Sequence, residues 1–466
     1  MTSSAPSEGR LLNRAQDSRP AAPVRIVHMG LGNFFRAHQA YYTETAPDAG
    51  EWGIAAFTGR SGKVAEELAP QEGLYNLIVQ HPDRNEYQII GALSAVHAAN
   101  DLDAWRKYMA DPQVAIVTST VTEAGYVRNK AGGLDTDNPG VIGDIEGIKA
   151  DGKDAEVATA PGKMVAGLLG RRAANAGPIT FCPCDNIPDN GEMVERVVRD
   201  LAQIVDPTLV EWIDENVGFV TTMVDRITPR ATAEDLAAVL ADTGIDDVAA
   251  VTTEPFIEWV LAGEFKNGRP AWDAAGAVFA DDITPFETRK LWLLNGSHSL
   301  MAYAATILGH ETVYDAINDP TVRGWVEEWW DVAARHLTLP AEEIVGAREA
   351  LIDRYNNPRI RHLLAQIAAD GSQKIAIRHV PALTMDRAQG QMPYGATRAV
   401  AAWTLHLRGL GAPVTDALAG EVSALVTGSL EESVNNVLAY LKVDDPEVAS
   451  VVLHQAEELE TMAKGA

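Results

Sequence analysis

The sequence VRIVHMGLGNFFRAH, residues 24–38, decides the fold of the N-terminal half of the chain. An apolar, β-branched run over Val24–Met29 is followed at once by Gly30-Leu31-Gly32 and then by a helical stretch from Arg36. A strand, a Gly-x-Gly turn and a helix open a dinucleotide-binding βαβ unit, where the glycines let a pyrophosphate approach the helix start. Phe35 stands where the third glycine of the pattern is usual, so an ordinary packing turn explains this motif equally well.

Later apolar runs support the dinucleotide-binding interpretation. Residues 52–57 (WGIAAF) predict a second strand at the spacing that a βαβ unit needs. Three further buried strands are predicted, with Ala-rich helical stretches between them. They are Val114–Thr118, Ile179–Phe181 and Val217–Met223. Residues 129–154 are rich in Gly and Asp and are predicted to form a loop.

From about residue 284 the pattern becomes helical and no alternating strands follow. Helices are predicted over 289–308, 320–335, 341–355, 397–407, 430–441 and 446–464. The predicted architecture is an α/β Rossmann-like dinucleotide-binding domain over 23–284 and an all-α substrate and catalytic domain over 285–466. Residues 1–22 are predicted to be a flexible tail or a strap.

Composition limits the possible partners and the compartment. Lys and Arg number 38 against 65 Asp and Glu, so the formal net charge is −27, which opposes binding to nucleic acid or anionic lipid. Cys182 and Cys184 are too close for an unstrained disulfide and too few for a structural zinc site. Residues 291–310 lack charged side chains but contain polar ones that are costly in lipid, so a helix buried in protein is expected. We predict a soluble, cytoplasmic protein without a metal.

The strongest candidate site is the polar face of an apolar helix, Lys290-Leu-Trp-Leu-Leu-Asn295-Gly-Ser-His298. At about 100° per residue, Glu287, Lys290, Asn295 and His298 fall within roughly 140° of one another. An apolar wall would lower the pKa of Lys290 and suit it to act as a general base near neutral pH. A snorkelling lysine or a hydrogen-bonded core histidine explains any one of these residues, but four polar groups on one face favour a site.

Three polar turns follow predicted strands, at the edge where open α/β sheets place ligands. The turns are Thr120–Tyr126, Cys184–Gly191 and Met223–Pro229. The first suits contact with a ribose or nicotinamide, although an ordinary turn explains it as well. In the second, an Asn-Gly loop turn accounts for Asn190 but less well for Asn186. In the third, Asp225 and Arg226 are equally consistent with a structural ion pair.

Together these motifs resemble the mannitol dehydrogenase family, the polyol-specific long-chain dehydrogenases that include hexuronate reductases. The resemblance covers the chain apart from its N-terminal tail and implies a zinc-independent, NAD(P)-linked interconversion of a secondary alcohol and a ketose. The matching segments, in family order, are IVHMGLGNFFRAHQAYYTE (26–44), VTEAGY (121–126), CDNIPDNG (184–191), MVDRITP (223–229), TEPFIEWVLAGEF (253–265) and KLWLLNGSHS (290–299).

The resemblance implies roles for the residues that match. Lys290 would be the general base, Asn186 and Asn295 would donate hydrogen bonds to the developing alkoxide, and His298 would orient the substrate. The remaining implied site residues are Glu287 at a proton exit path, Asp225 and Arg378 on substrate hydroxyls, and Gly30, Gly32, Asn33, Phe34, Arg60, Thr120 and Glu123 at the cofactor.

The choice between NAD and NADP stays open in the sequence. Family habit favours NAD, yet the run Thr58-Gly59-Arg60-Ser61-Gly62-Lys63 after the second strand lacks the carboxylate that binds the ribose of NAD. Arg60 is suited either to a 2′-phosphate or to stacking on adenine.

Three functions are compatible with these features. The favoured one is a mannitol 2-dehydrogenase-like enzyme that converts D-mannitol to D-fructose. Its expected partner is the small-molecule polyol or ketose, and the family resemblance and the high charge favour a monomer. A hexuronate reductase, converting D-fructuronate to D-mannonate, would need a cation for the carboxylate, which Arg378, Lys374 or His379 could provide. A catalytically silent NAD-binding sensor is a third alternative, against which the intact Lys290 and its polar neighbours argue.

Overall fold

The structure is a computed structural model that describes residues 9–59 and 61–465. The chain divides into two units, Met1–Ile283 and Thr284–Ala466, so the division falls one residue before the predicted one.

Strands of the N-terminal unit form one large and two small sheets. In the described residues they are β1 (Val24–Met29), β2 (Gly53–Phe57), β3 (Tyr75–Gln80), β4 (Asn85–Ile90), β5 (Leu93–His97), β6 (Ile116–Ser119), β7 (Ile179–Pro183), β8 (Val217–Phe219), β9 (Thr221–Asp225), β10 (Val251–Thr253), β11 (Glu258–Ala262) and β12 (Val278–Phe279). The helices of this unit are α1 (Asn33–Ala37), α2 (Gln39–Thr45), α3 (Lys63–Leu68), α4 (Leu102–Met109), α5 (Pro139–Asp151), α6 (Ala160–Ala173), α7 (Asn190–Val205), α8 (Pro207–Asn216) and α9 (Ala233–Thr243).

The large sheet is parallel throughout and has the order β5-β2-β1-β6-β7-β8. Counted along the chain, this is the 3-2-1-4-5-6 order of the doubly wound dinucleotide-binding fold, which confirms the predicted Rossmann-like class. Alternate residues of β1 enter different cores: Val27 and Met29 pack on one face, and Ile26 packs on the other. The carboxyl ends of β1, β6 and β7 therefore lie side by side, where ligands bind in such sheets.

The predicted strand Val217–Met223 is two strands in the structure. β8 completes the large sheet, whereas β9 pairs antiparallel with β11 in a three-stranded sheet. At this change of sheet, the Asn190 side chain bonds the N–H and the carbonyl of Thr222, at 2.9 and 2.8 Å.

One other expectation was wrong. The predicted loop 129–154 contains α5, which begins at an Asn138 cap and packs Val141 and Ile148 inward. The described residues of the N-terminal segment contact the rest of the unit: Leu12 is buried with Leu74 and Ile245, and Arg14 donates to the carbonyls of Glu72, Gly91 and Leu93. The described part of the N-terminal segment is therefore a strap.

The C-terminal unit is helical, as predicted. Its helices in the described chain are α10 (Thr284–Arg289), α11 (Ser297–Ile307), α12 (Val313–Asn318), α13 (Pro320–Ala334), α14 (Ala341–Tyr355), α15 (Leu364–Ile367), α16 (Gly371–Arg378), α17 (Val380–Ala388), α18 (Tyr394–Leu407), α19 (Ala419–Leu425), α20 (Leu430–Tyr440) and α21 (Pro446–Gly465). A single large core holds them together, to which α11, α13, α18 and α21 contribute fully buried residues. Within residues 9–59 and 61–465, no helix combines the length and apolar character needed to cross a membrane.

The helix predicted over 289–308 has a different geometry in its first half. Lys290–Gly296 is a π-helical segment that joins α10 to α11. π-Helical turns are rare and occur frequently at functional sites, so this segment marks the C-terminal unit's candidate site.

Candidate active site

The Gly-x-Gly turn at the end of β1 has the backbone that a dinucleotide site requires. Gly30 has φ +106°, and a Cβ there would lie 2.3 Å from the carbonyl oxygen of Thr120, so only glycine fits. The N–H groups of Gly30 and Leu31 both donate to the Phe57 carbonyl, at 2.9 and 2.8 Å. A Cβ on Gly32 would meet only the Gly30 carbonyl oxygen, at 3.5 Å. The space beside Gly32 at the start of α1 fits the approach of a pyrophosphate.

A buried histidine, which the sequence analysis missed, fixes this turn. The His28 Nδ1 lies 2.9 Å from Thr118 Oγ1 and its Nε2 lies 3.2 Å from Thr120 Oγ1, while the Thr120 hydroxyl donates to the Gly30 carbonyl at 2.8 Å. Burial lowers the pKa of His28 to about 3, so the ring is neutral. The Thr120 hydroxyl uses its hydrogen in the bond to the Gly30 carbonyl, so it can only accept from His28. The neutral His28 ring therefore carries its proton on Nε2.

Phe35, in place of the third glycine, stacks on the His28 ring with centroids 3.5 Å apart and planes 8° apart. The phenylalanine that replaces the usual third glycine therefore packs against the histidine that fixes this turn. The available signal was a histidine near the end of a mostly apolar strand.

The other predicted cofactor residues have mixed surroundings. Asn33 accepts a hydrogen bond from Arg36 at 2.8 Å, and Phe34 stacks on His38 at 5.0 Å. Glu123 is exposed and pairs with Arg128 at 2.6 Å. Arg60 lies outside the described residues. The turn thus brings Gly30 and Thr120 into contact, while Glu123 faces solvent beside a cation.

At the ends of β6 and β7, buried Asp185 joins two of the polar turns. Its carboxylate accepts from the Val121 N–H, the Tyr126 hydroxyl and, at 3.2 Å, the Ser119 hydroxyl. Burial raises the pKa of Asp185 to about 7, against the effect of these donors. Asp185 was not predicted from the sequence, where the motif pointed instead to its exposed neighbour Asn186.

Asn190 is more than a loop residue. Its amide nitrogen donates to the Asp185 carbonyl at 2.9 Å in addition to its bonds with Thr222. A Cβ on the following Gly191 would lie 2.4 Å from Thr221 Oγ1, so this glycine is required by close packing. The segment after β7 is therefore held rigidly on both sides of Asn186.

Asp225 is the last residue of β9 and is buried, directly opposite Glu258 of β11. Its neighbour Arg226 bonds to backbone carbonyls, those of Glu254 at 3.1 and 3.2 Å and of Ala37, and lies 4.8 Å above the Tyr41 ring. Burial lowers the pKa of Arg226 to about 10. These contacts give Arg226 a structural role in positioning the end of β9.

In the C-terminal unit, the π-helical form changes the predicted geometry of the polar face. A π turn bonds residues five apart, so Lys290 and Asn295 come nearer to one face than the 3.6-residue turn of an α-helix would place them. His298 follows Asn295 by three residues in α11 and continues the same face. Lys290 and Asn295 are half-buried, and His298 is buried.

His298 is a core residue with an unused ring nitrogen. Among the described residues, no group bonds its buried Nε2, and its ring packs against Tyr355 and His362 at 5.1 and 5.0 Å. Burial, reinforced by the neighbouring His362 ring and the Arg354 and Arg378 guanidiniums, lowers the pKa of His298 well below the usual value. A neutral imidazole with a free nitrogen suits contact with a hydroxyl group.

Arg378 bonds two residues of the segment that carries the polar face. Its Nη1 donates to the Asn295 carbonyl at 3.1 Å and to the Ser299 hydroxyl at 2.8 Å. Burial lowers its pKa to about 10. Arg378 therefore bonds the backbone of the segment that carries Asn295. Its predicted contact with substrate hydroxyls is a separate role.

Two family models together match almost the whole chain. The mannitol dehydrogenase Rossmann domain matches residues 24–274, and the mannitol dehydrogenase C-terminal domain matches residues 282–462. The chain belongs to the mannitol dehydrogenase family. The resemblance stated from the motifs is therefore confirmed, and so is the prediction of a dehydrogenase.

Several named relatives in the mannitol dehydrogenase family are more than 30% identical. D-mannonate oxidoreductase of Escherichia coli (strain K12) is 38% identical over 83% of this chain and 80% of its own length. Polyol:NADP oxidoreductase of Gluconobacter oxydans (strain 621H) is 36% identical over 76% of this chain and 73% of its own. Mannitol 2-dehydrogenase of Cereibacter sphaeroides is 32% identical over 86% and 84%.

Two solved structures of the family share the fold. Substrate-free D-sorbitol dehydrogenase superposes with a TM-score of 0.89, at 28% identity over 97% of this chain and 99% of its own. Pseudomonas fluorescens mannitol 2-dehydrogenase, in complex with NAD and D-mannitol, has a TM-score of 0.77 at 30% identity over 98% and 96%. At the level of the family, the predicted nicotinamide dinucleotide cofactor is confirmed.

Metal ligands do not cluster in the described part of this family member. Within residues 9–59 and 61–465, no group of three His, Cys, Asp or Glu side chains is placed to hold an ion.

Proposed function

We propose that this enzyme interconverts a polyol and a ketose, with NAD as the hydride carrier, and that D-mannitol and D-fructose are the first pair to test. The observation that carries the proposal is the polar face of the helix that begins at Thr284, where Lys290, Asn295 and His298 share one side of a π-helical segment and its continuation. Such a face offers a base, an amide donor and a neutral imidazole, which are the groups that alcohol oxidation requires.

In this mechanism the Lys290 amine takes the proton of the secondary hydroxyl. The side-chain amides of Asn295 and Asn186 donate hydrogen bonds to the oxygen as negative charge develops on it. His298 bonds a neighbouring hydroxyl through its Nε2 and orients the carbon chain. Glu287, one helical turn before Lys290, passes the proton towards solvent. The bound dinucleotide supplies a nicotinamide ring that accepts the hydride.

The glycine turn would hold the dinucleotide. Gly30 and Gly32 leave room for the pyrophosphate at the start of α1, with Asn33 and Phe34 as the next residues of that helix. Thr120 would line the nicotinamide side, where the His28 network fixes it. Asp225 and Arg378 are assigned to substrate hydroxyls.

A hexuronate is the second candidate substrate, because two guanidinium groups, those of Arg354 and Arg378, lie near His298. Arg354, Arg378 and His362 lie close enough to depress the pKa of His298, in a chain whose net charge is −27. Desolvated guanidinium groups are the usual partners of a carboxylate. The 38% identity to a D-mannonate oxidoreductase supports the same alternative.

A substrate panel distinguishes these proposals. Absorbance at 340 nm reports oxidation of D-mannitol, D-sorbitol, D-arabinitol and D-mannonate, each with NAD and with NADP. We expect the highest kcat/KM for D-mannitol with NAD, whereas preference for D-mannonate would establish the hexuronate alternative. Binding of the dinucleotide without turnover of any substrate would contradict both and leave the sensor alternative.

The same panel tests the cofactor preference. Because residues 58–63 contain no carboxylate to repel a 2′-phosphate, we expect NAD to exceed NADP in kcat/KM by about tenfold or less. A preference above about a thousandfold would mean that another group rejects the phosphate.

A further inference from the structure

The π-helical form of Lys290–Gly296 requires an explanation, because an α-helix is the ordinary state of such a sequence. In an α-helix, Lys290 and Asn295 would point about 140° apart. The π turn, with its five-residue bonding period, brings the proposed base and the proposed alkoxide donor towards one face. The alignment of Lys290 with Asn295 therefore depends on the interactions that keep this segment π-helical.

Side chains from outside the segment bond to its backbone at four successive residues. The Trp329 indole donates to the Trp292 carbonyl at 2.8 Å, and the Trp330 indole donates to the Leu293 carbonyl at 2.9 Å. The Leu294 carbonyl accepts from the Ser297 hydroxyl at 3.1 Å, and the Asn295 carbonyl accepts from Arg378 at 3.1 Å.

Ser297 has a second bond within the segment. Its hydroxyl also donates to the Leu293 carbonyl at 2.5 Å, four residues earlier, and lies 2.8 Å from the Tyr355 hydroxyl. Back-bonding of this kind loosens the regular i to i−4 ladder of a helix. Inserted side-chain donors are a recognised cause of helix distortion.

The two indoles are enclosed in the core of the C-terminal unit. Trp329 and Trp330 are adjacent on α13 and fully buried, at 0% and 1% exposure. A Cβ on Gly296 would lie 2.6 Å from Trp329 Nε1, so a glycine at this position lets the indole reach the backbone. A carbonyl that lost its side-chain donor in this core would stay buried and unsatisfied unless a backbone N–H took the place of that donor.

We propose that Trp329, Trp330 and Ser297 are positioning residues that hold Lys290–Gly296 in the π form and so align Lys290 with Asn295. The role in catalysis rests on the proposed function. Loss of a donor lets the carbonyl ladder return towards α-helical bonding, which turns Asn295 away from Lys290. A misplacement of about 1 Å is enough to cost up to a hundredfold in rate.

Ser297→Ala tests this with the smallest change, and Ser433→Ala is its matched control. Both serines are fully buried in helices, and Ser433 donates to the carbonyl four residues earlier at 2.8 Å, as Ser297 does. We expect kcat to fall about tenfold or more in Ser297→Ala, with the KM for the cofactor unchanged. Ser433→Ala should keep kcat while losing a similar amount of thermal stability.

Trp330→Phe and Trp403→Phe form a second pair. Both indoles are fully buried in the same core, but Trp403 lies on α18, whereas the Trp330 indole bonds the Leu293 carbonyl of the π segment. Amide hydrogen exchange of peptides covering residues 290–296, measured by mass spectrometry, should accelerate in Trp330→Phe and Ser297→Ala and stay at the wild-type rate in both controls.

The outcomes separate this inference from the proposed function. An active wild-type enzyme with unchanged kcat and unchanged exchange in Ser297→Ala and Trp330→Phe overturns the positioning role alone. Equal losses of kcat in a variant and its control also overturn it, because stability would then explain both. A wild-type enzyme that turns over none of the panel contradicts the proposed function, and the positioning role in catalysis with it.

Discussion

At the scale of single residues, two buried polar side chains organise the N-terminal site. His28 carries the bonds that fix Thr120 and the Gly30 carbonyl, and Asp185 collects donors from the turn that follows β6. Both were missed in the sequence because each is a single polar residue inside or beside an apolar strand. Their function depends on partners about 60 to 90 residues away in the chain.

Replacing Asp185 tests its role as a structural acceptor. The Asp185 carboxylate accepts through both of its oxygens, whereas the amide in Asp185→Asn has a single acceptor oxygen. At least one buried donor therefore loses its partner. We expect unfolding in urea to show a loss of about 1–3 kcal/mol in stability. The KM for the cofactor should rise because Val121 and Tyr126 belong to the turn beside Thr120.

Asp189→Asn, four residues later and exposed, is the control and should behave as wild type. If Asp185→Asn matched that control in both stability and cofactor KM, the carboxylate would have no organising role.

At the scale of elements, the two glycines of the turn after β1 have different roles, so a substitution at one of them can change dinucleotide binding without changing stability. Gly30 has no room for a Cβ, but a Cβ on Gly32 makes only an ordinary contact, at 3.5 Å. Gly32→Ala should therefore keep the wild-type melting temperature. Its methyl group would occupy the space assigned to the pyrophosphate, so we expect the Kd for NADH to rise about tenfold or more.

Gly50→Ala, where a Cβ meets nothing within 4 Å, is the matched control for calorimetric titration with NADH. Wild-type affinity in Gly32→Ala would place the pyrophosphate elsewhere.

Elements with local signals were predictable, and elements that depend on distant partners were not. β1 was predicted at its observed bounds because an apolar run ends directly at glycine. α5 was misjudged from its Gly and Asp content, although Val141, Ile145 and Ile148 follow helical spacing after an Asn138-Pro139 start. The π segment was not predictable, since its donors Trp329 and Trp330 lie on another helix.

The candidate site shows the same division between local and distant signals. Motif resemblance indicated Lys290, Asn295 and His298 as candidates, and α-helical periodicity placed them across about 140°. Tertiary bonding to the carbonyls of residues 292–295 sets the actual geometry. Spacing along a sequence cannot reveal hydrogen bonds from side chains that are more than 30 residues away.

At the scale of the whole molecule, buried neutral histidines make stability depend on pH. Burial lowers the pKa of His28 and His379 to about 3 and that of His406 to about 4, whereas an unfolded histidine titrates near 6.5. Unfolding therefore takes up protons below about pH 6.5. Stability from these groups is present above that pH and is lost as pH falls towards 4.

Two carboxyl groups act in the opposite direction. Burial raises the pKa of Asp185 and Glu44 in the folded chain, so their contribution falls as pH rises. The histidines outnumber them, and we expect the free energy of unfolding to decrease from pH 7 to pH 5 by roughly 1 kcal/mol per pH unit or more. His406→Gln should make this slope shallower. Urea unfolding at pH 7, 6 and 5 checks the sign, and a stability that rises on acidification would contradict it.

The central claim for the molecule as a whole is that Lys290 is the base of a dinucleotide-linked alcohol oxidation. The most direct measurement is kcat for D-mannitol oxidation by Lys290→Ala at saturating substrate, with NADH affinity measured on the same preparation. Lys464→Ala, which alters an exposed lysine paired with Glu460, is the control. We predict a loss of about 10²–10⁴-fold in kcat for Lys290→Ala with wild-type NADH affinity, and no change for Lys464→Ala. Retention of more than about a tenth of the wild-type kcat would contradict the account.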